Sequence, residues 1–122
     1  HEDGSSEVVR TCINGIERFN GKKIRTVEGH AKHNEQNEIT ELHPIQMAFL
    51  THYSFQCGWC TAGFVNEAIA LYERLKQNPV EKSQVEKTID TALGNHICRC
   101  TGYVKYFAAV KDVILSTEGL TK

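Results

Sequence analysis

The chain has five cysteines, and four of them lie in two short motifs whose residue types and spacing suggest chemistry. Cys57 and Cys60 lie in the stretch QCGWCTAG, and Cys98 and Cys100 lie in the stretch NHICRCTG. Each motif delivers two thiolates from one short loop, which is what a metal centre requires. Cys12 stands apart from both motifs. The spacing therefore predicts a metal site built from four thiolates.

The residues alone leave two other uses of these cysteines open. A disulfide within the Cys-x-Cys motif would close a very small, strained ring, and a Cys-x-x-Cys redox motif would lack its usual βαβ setting. We therefore favour a metal over a disulfide. Four thiolates suit structural zinc as well as an iron–sulfur centre, and the Cys-x-Cys arm, which is less usual for zinc, favours iron–sulfur.

Both cysteine motifs are expected directly ahead of a helix. Thr61 and Thr101, the residues that follow the second cysteine of each motif, are the expected first residue or cap of those helices. A helix start offers unpaired backbone N–H groups and the positive end of the helix dipole, which favour thiolates and an anionic cluster. Gly58 and Gly102 would allow the backbone to turn tightly around a metal.

Helical periodicity extends from residue 43 onward and predicts a small four-helix bundle. The first expected helix begins at Pro44, and the second spans Thr61–Gln77. The third opens at the capping box of residues 83–86 (SQVE) and ends at Gly94, and the fourth follows a Thr101 cap. The last helix is expected to share one apolar face among Tyr103, Phe107, Val110 and Ile114.

The N-terminal third differs in character. The stretch from Val8 to Val27 is rich in β-branched residues, and its Asn20-Gly21 dipeptide is typical of a type I′ hairpin. Two or three short strands are therefore expected there, too few to bury a core by themselves. Residues 30–42 are polar and aperiodic, which predicts a linker.

Length and composition limit the classes of function. A chain of 122 residues allows one compact domain, or a small domain with a fragment of another. A formal net charge of -1 argues against nucleic acid as a partner. No apolar run approaches the roughly 20 residues that span a bilayer. We expect a cytoplasmic location, with a periplasmic one left open because the chain begins at His1 rather than Met.

The stretches HPIQMAF, QCGWCTAGF and GNHICRCTGY together resemble the helical [2Fe–2S] domain of the xanthine oxidase family of molybdenum hydroxylases. The resemblance covers about residues 43–116. It implies that one [2Fe–2S] cluster has four ligands, two on each iron: Cys57, Cys60, Cys98 and Cys100. The family usually has Pro at the position of Ala62 and one residue fewer around His96, and neither departure touches a ligand.

The stretch VVRTCINGIERFNGKKIRTVEGHAK is similar to the end of the plant-type ferredoxin domain that precedes the bundle in this family. Cys12 then falls on the last ligand of a second [2Fe–2S] cluster, whose other three ligands would lie before His1. A buried free cysteine is the alternative for Cys12. The implied fold is mainly α: a four-helix [2Fe–2S] bundle (43–122) after a linker (30–42) and a short β segment from a truncated ferredoxin-like, β-grasp domain (1–29).

The resemblance also implies a role and partners. The chain would be the iron–sulfur electron-transfer subunit of a molybdenum hydroxylase, with no substrate site of its own. Molybdopterin is expected on a large partner subunit and FAD on another. Gln56 and Cys100 match the positions that contact molybdopterin in the family, and a surface amide is the alternative for Gln56.

Other readings are weaker but distinct. A structural zinc site would make the bundle an interaction module, and a thiol–disulfide protein is a third possibility. Trp59, His43 and His96 are interpreted as packing or loop residues. The six histidines form no set with ligand spacing.

Overall fold

The computed structural model describes residues 6–101 and 103–122. The residues that it describes form four α-helices: α1 (Pro44–Thr51), α2 (Thr61–Gln77), α3 (Val85–Leu93) and α4 (Val104–Ser116). They also form two short strands, β1 (Lys32–His33) and β2 (Ile39–Glu41), and single 3-10 turns at Thr11–Ile13, Ile16–Phe19, Glu28–His30 and Lys82–Gln84. The predicted architecture, mainly α with four helices and a short β segment, is confirmed. None of the described helices is long and apolar enough to cross a membrane.

The four helices bury one shared apolar core, because each carries apolar residues at helical spacing. At its centre the ring of Phe64 on α2 stacks on the ring of Tyr106 on α4, with 4.2 Å between centroids and 6° between planes. Phe49 on α1 packs against the same tyrosine at 5.3 Å. Burying such a side chain contributes about 1.5–3 kcal/mol. The bundle is therefore the rigid part from which the cysteine loops project.

The buried face of α4 differs partly from the expected one. Val110 and Ile114 are buried as predicted, but Phe107 is only half-buried, and Tyr103 precedes the helix and is exposed. Tyr106, which the sequence analysis did not place on this face, is buried to 1% exposure. The buried face of α4 therefore consists of Tyr106, Ala109, Val110, Val113 and Ile114.

The starts of α1 and α3 are stabilised differently from one another. His43 is the N-cap of α1: its Nδ1 accepts a hydrogen bond from the Ile45 N–H, and Gln46 accepts one from the His43 N–H. This is a reciprocal capping box with histidine in place of the usual serine or threonine. The predicted capping box at Ser83 is wrong, since α3 has Gln84 as its N-cap with no side-chain hydrogen bond.

The strands predicted between Val8 and Val27 do not form, and this fully described stretch contains 3-10 turns instead. The Asn20-Gly21 dipeptide does make a turn, with the Lys22 N–H donating to the Phe19 carbonyl at 3.0 Å. Asn20 has φ -59° and ψ 128° and Gly21 has φ 70°, which is a type II turn. A type II turn splays the flanking chains instead of pairing them. The hairpin prediction was therefore wrong.

A β-hairpin forms in the segment predicted to be a linker. Lys32 in β1 pairs with Glu41 in β2, in an antiparallel register. The two side chains also make an ion pair at 2.6 Å. Both strands are exposed on both faces, so they show no alternation of apolar and polar residues. The hairpin therefore could not be predicted from the sequence pattern.

Three polar contacts hold the N-terminal segment against the bundle. Arg25 pairs with Glu73 of α2 at 2.6 Å, and the His30 Nε2 lies 2.9 Å from the Asn66 side-chain oxygen. The Gln46 side chain donates to the Val27 carbonyl at 2.9 Å. The segment is thus fixed to α1 and α2.

Candidate metal centre

The first cysteine loop runs directly into α2, as predicted. Cys60 is the N-cap residue of this helix, and Thr61 is its first residue. Gly58 has φ +80°, and its carbonyl accepts a hydrogen bond from the Thr61 N–H at 3.2 Å. A residue with a Cβ would be strained at this φ, so the backbone of the loop favours glycine. Cys57 and Trp59 are exposed on the outer side of the loop.

The second loop folds around the thiol of Cys98, which is buried at 5% exposure. The backbone N–H of Thr101 donates to this sulfur at 3.4 Å, and the Thr101 hydroxyl lies 3.2 Å from it. The prediction that Thr101 caps α4 is wrong: the helix begins at Val104, after Tyr103 in the left-handed conformation at φ 72°. Thr101 instead forms hydrogen bonds with the Cys98 sulfur. Gly102, predicted to assist this turn, lies outside the described residues.

The two loops meet at one end of the bundle and pair their thiols across the loops. The Cys100 thiol donates to the Cys57 sulfur at 3.5 Å. The Cys60 and Cys98 thiols form the second pair, since both lie against the Tyr106 hydroxyl, at 3.3 Å and 3.9 Å. Each pair therefore takes one cysteine from each motif, so the structure brings together all four predicted ligands.

Tyr106 links the second pair to the core. Its hydroxyl lies 3.3 Å from the Cys60 sulfur and 3.9 Å from the Cys98 sulfur. Burial, with the hydrogen bond to Cys60, raises the pKa of Tyr106, which keeps its proton available as a donor. Sequence analysis missed this residue. Its signal was the helical spacing of Tyr106 with Val110 and Val113, which places it on the buried face of α4.

The thiols of each pair have opposite pKa shifts. Burial raises the pKa of Cys98, but hydrogen bonds from Thr101 and from the Cys100 backbone outweigh it and lower this pKa to about 6. Burial raises the pKa of its partner Cys60. A backbone hydrogen bond from Trp59 lowers the pKa of Cys57, while donation to Cys57 raises that of Cys100. These shifts favour thiolate at Cys57 and Cys98 over their partners, and metal binding would displace the remaining thiol protons.

The donor set fits a dinuclear cluster better than a single ion. On a tetrahedral metal with bonds of about 2.3 Å to sulfur, two thiolates lie about 3.8 Å apart, close to the 3.5 Å between Cys57 and Cys100. A mononuclear zinc would need all four sulfurs around one point. Among the described residues no three His, Cys, Asp or Glu side chains are so arranged. Two separate pairs are the arrangement expected of two irons.

Gln56 lies beside the second motif, since its side-chain amide donates to the Cys100 carbonyl at 3.2 Å. The two residues predicted to contact molybdopterin are therefore adjacent at the exposed end of the site. The contact with molybdopterin stays a prediction.

The other predicted residues lie in different settings. Cys12 is exposed in the first 3-10 turn, so the alternative of a buried free cysteine is wrong, and its role as a ligand stays a prediction. His96 packs on Phe64, at 4.9 Å between ring centroids, as a packing residue should. His43 is a helix cap, and Trp59 is 95% exposed, so Trp59 does not pack within this chain.

Comparison with known proteins gives the site a family context. Residues 26–111 match the family described as "[2Fe-2S] binding domain". The nicotine 6-hydroxylase small subunit of Paenarthrobacter nicotinovorans is 38% identical over 112 residues, which cover 90% of this chain and 58% of that protein. The iron-sulfur-binding subunit of an aldehyde oxidoreductase from Escherichia coli O157:H7 is 29% identical over 115 residues, covering 85% of this chain and 47% of that protein. The chain thus spans about half the length of these relatives.

A solved structure supports the same relationship. The crystal structure of quinoline 2-oxidoreductase from Pseudomonas putida 86 matches with a TM-score of 0.68 and 30% identity, covering 85% of this chain and 57% of that one. The family match includes all four paired cysteines and more than half of the chain. The resemblance that the two cysteine motifs indicated is confirmed, and the chain belongs to the [2Fe–2S] binding domain family.

Proposed function

We propose that this chain is the iron–sulfur electron-transfer subunit of a molybdenum hydroxylase. It would pass electrons from a molybdopterin centre on a large subunit toward a flavin or another acceptor, and it would have no substrate site of its own. The observation that carries this proposal is the pairing of the four thiols across two loops at one end of the bundle. Relatives named as small or iron-sulfur-binding subunits of hydroxylases and oxidoreductases support it.

When bound, a [2Fe–2S] cluster supplies one-electron transfer chemistry. Cys57 and Cys100 would hold one iron and Cys60 and Cys98 the other. The other role of the chain is to position these sulfurs and to set their protonation state. Backbone hydrogen bonds from Trp59 and Thr101 favour thiolate at Cys57 and Cys98, which are the forms that bind metal. The structural zinc alternative is less favoured because the thiols form two pairs.

The large subunit is proposed to dock on the surface around the cysteine loops, which we call the cysteine-end surface. Its four apolar side chains are Phe55, Trp59, Ile97 and Val104, at 38%, 95%, 75% and 73% exposure. Exposed apolar side chains grouped in this way are typical of the centre of a stable interface, where aromatic residues are enriched. Docking there would also cover Cys57 and Cys100, the more exposed thiol pair.

Within this surface, Gln56 and Cys100 are the proposed contacts with molybdopterin. The hydrogen bond from Gln56 to the Cys100 carbonyl holds the amide beside a ligand. Gln56→Ala should retain the cluster absorbance but slow its bleaching by substrate in rapid-mixing experiments on the assembled complex. Bleaching at the wild-type rate would leave Gln56 as a surface amide.

Three further parts of the proposal concern the rest of the assembly. An FAD-binding subunit would accept the electrons, and Cys12 would complete a second [2Fe–2S] cluster with ligands from the preceding part of a ferredoxin-like domain. A cytoplasmic location is proposed as well, because the described cysteines form no disulfide and disulfides are rare in the cytosol.

Purification through a tag on this chain from its native host tests the proposal. We expect molybdenum and a large subunit to co-purify in stoichiometric amounts, with flavin on a further subunit, and the protein to be red-brown. A colourless protein with stoichiometric zinc and no molybdenum partner would contradict the proposal and support an interaction module.

A further inference from the structure

The start of α4 makes one hydrogen bond to each of the two cysteine loops. Ser54, which precedes the first motif, donates its hydroxyl to the Lys105 carbonyl at 2.9 Å. The Cys98 N–H of the second motif donates to the Tyr103 hydroxyl at 3.1 Å. We propose that Ser54 and Tyr103 are positioning residues, which use the start of α4 to hold the two cysteine loops in a fixed relative position. This proposal deepens the proposed function and rests on it, since it concerns the same cluster site.

Ser54 joins the first loop to two helices. Its side chain is fully buried, at 0% exposure. Its N–H donates to the Phe49 carbonyl in α1 at 2.9 Å, while its hydroxyl donates to Lys105 in α4. A buried hydroxyl without an acceptor is unfavourable, so this bond resists displacement. The chain therefore leaves α1 from a fixed point, three residues before Cys57.

Tyr103 makes its contact from an unusual backbone conformation. It has φ 72° and ψ -25°, a left-handed conformation that is unfavourable for a bulky residue. Such conformations persist only where surrounding contacts fix them. The Tyr103 carbonyl accepts the Phe107 N–H at 3.0 Å in the first turn of α4, and its ring lies 6.2 Å from the Phe64 ring. The side chain thus returns from the helix start to Cys98 and ties the second loop to α4.

The two anchors act on both thiol pairs, because each pair takes one cysteine from each loop. Movement of either loop would therefore displace one ligand at each iron of a bound cluster. Tyr103 and Lys105 are two residues apart at the start of one helix. The anchors are thus joined by a short stretch of backbone, which links the two loops in series.

The test is the rate at which a chelator removes iron from the protein, purified anaerobically with any subunits that accompany it. Ser54→Ala and Tyr103→Phe should each accelerate iron loss about fivefold, as expected for one hydrogen bond, and leave the helical circular dichroism unchanged. The electron paramagnetic resonance signal of the reduced cluster should broaden in both variants, because a loosely held loop spreads the geometry at both irons.

The double variant tests whether the two anchors act in series. Two independent bonds would multiply to an acceleration of about 25-fold, since effects at independent sites add as free energies. Anchors in series should give no more than about fivefold in the double variant, because breaking either bond already separates the loops.

Ser116→Ala and Tyr53→Phe are the matched controls. The Ser116 hydroxyl also donates to a backbone carbonyl, that of Val113 at 3.3 Å, but at the other end of α4. Tyr53 is another tyrosine with a positive φ, 50°, and within the described part of the chain its hydroxyl has no hydrogen-bond partner. Both variants should lose iron at the wild-type rate and keep the wild-type resonance signal.

Two results would overturn this proposal and leave the cluster assignment intact. One is iron loss at the wild-type rate in Ser54→Ala or in Tyr103→Phe, and the other is a double variant in which the two effects multiply. A wild type that holds no iron–sulfur cluster would instead overturn the proposed function together with this proposal.

Discussion

Tyr106 shows how one side chain serves both the core and the thiols. Its ring stacks on Phe64, while its hydroxyl lies against Cys60 and Cys98. Hydrogen bonds to the sulfurs of an iron–sulfur cluster stabilise the added negative charge of the reduced state and so raise the reduction potential. We therefore expect Tyr106 to be the residue through which the core tunes a bound cluster.

Tyr106→Phe should lower the reduction potential while the fold is kept, because the ring remains stacked. A hydrogen bond of about 1 kcal/mol corresponds to about 40 mV for a one-electron couple. A redox titration followed by visible absorbance measures this shift. Tyr53→Phe is the control, since Tyr53 is 75% exposed and should have no effect. An unchanged potential in Tyr106→Phe would show that the hydroxyl does not act on the bound sulfurs.

The cysteine motifs could be predicted from the sequence because thiol chemistry and short spacing identify a ligand pair without knowledge of the fold. The pairing across loops could not, since it depends on how the two loops meet. The contact of Tyr106 with the thiols could not be predicted for a related reason. The sequence indicates that a tyrosine lies on the buried face of a helix, but not where its hydroxyl group lies. Thr101 was assigned to a helix cap because its interaction with Cys98 Sγ is visible only in the folded loop.

At the scale of elements, the start of α1 and the N-terminal segment share a histidine pair. The rings of His30 and His43 lie 6.4 Å apart at an angle of 62°. The Nδ1 of His30 is buried and has no hydrogen-bond partner among the described residues, whereas that of His43 accepts a hydrogen bond from the Ile45 N–H as the helix cap. Burial, and then the proximity of His30, lowers the pKa of His43 to about 4. Both rings are thus held neutral.

This arrangement predicts a loss of stability in acid. The unfolded chain binds a proton at His43 near pH 6.5, the ordinary value, but the folded chain does so only near pH 4. The unfolded state therefore binds more protons in this window, and stability falls as pH decreases from about 6.5 to 4. The loss should be at most about 2 kcal/mol, because the half-buried ring is partly screened by solvent.

Chemical denaturation across this pH window measures the effect, with variants separating it from acid effects on the cysteines. His43→Asn keeps a capping acceptor but does not titrate, so its stability should depend less on pH than that of the wild type. His33→Asn changes an exposed histidine and should behave as the wild type does. If His43→Asn loses as much stability in acid as the wild type, the neutral cap is not the cause.

The helices were predictable because their apolar stripes recur at helical spacing and a shared core enforces that pattern. The N-terminal segment was not, because a short hairpin gains too little from its own contacts to set its conformation. The chain from Val8 to Val27 adopted turns, and β1 and β2 formed in the segment without a pattern. Local signals such as Asn20-Gly21 predicted a turn correctly but not its type.

At the scale of the whole molecule, the four exposed apolar side chains of the cysteine-end surface lie beside the thiol pairs. The cysteine-end surface surrounds the thiol pairs, while contacts such as Arg25 with Glu73 hold the N-terminal segment on α1 and α2. Cys57 and Cys100 are exposed at this end. The exposed end should therefore be completed by a partner.

Trp59→Ala should weaken association with the large subunit about tenfold or more without loss of iron, because a buried tryptophan is a frequent hot spot worth 2 kcal/mol or more. Sedimentation or pull-down with the purified large subunit measures the change. Leu115→Ala removes a side chain of 44% exposure near the far end of α4 and should not affect association. Equal effects of the two variants would mean that the cysteine-end surface is not the interface.

The central claim is that the four paired thiols hold one [2Fe–2S] cluster, and analysis of iron and acid-labile sulfide in the anaerobically purified chain tests it most directly. The wild type and Cys12→Ser should both contain two iron and two sulfide ions per chain from this cluster. Cys98→Ser should lose them, and its thermal transition should fall because cluster assembly and folding are linked. Stoichiometric zinc without sulfide in the wild type, or equal loss of the cluster in both variants, would contradict the account.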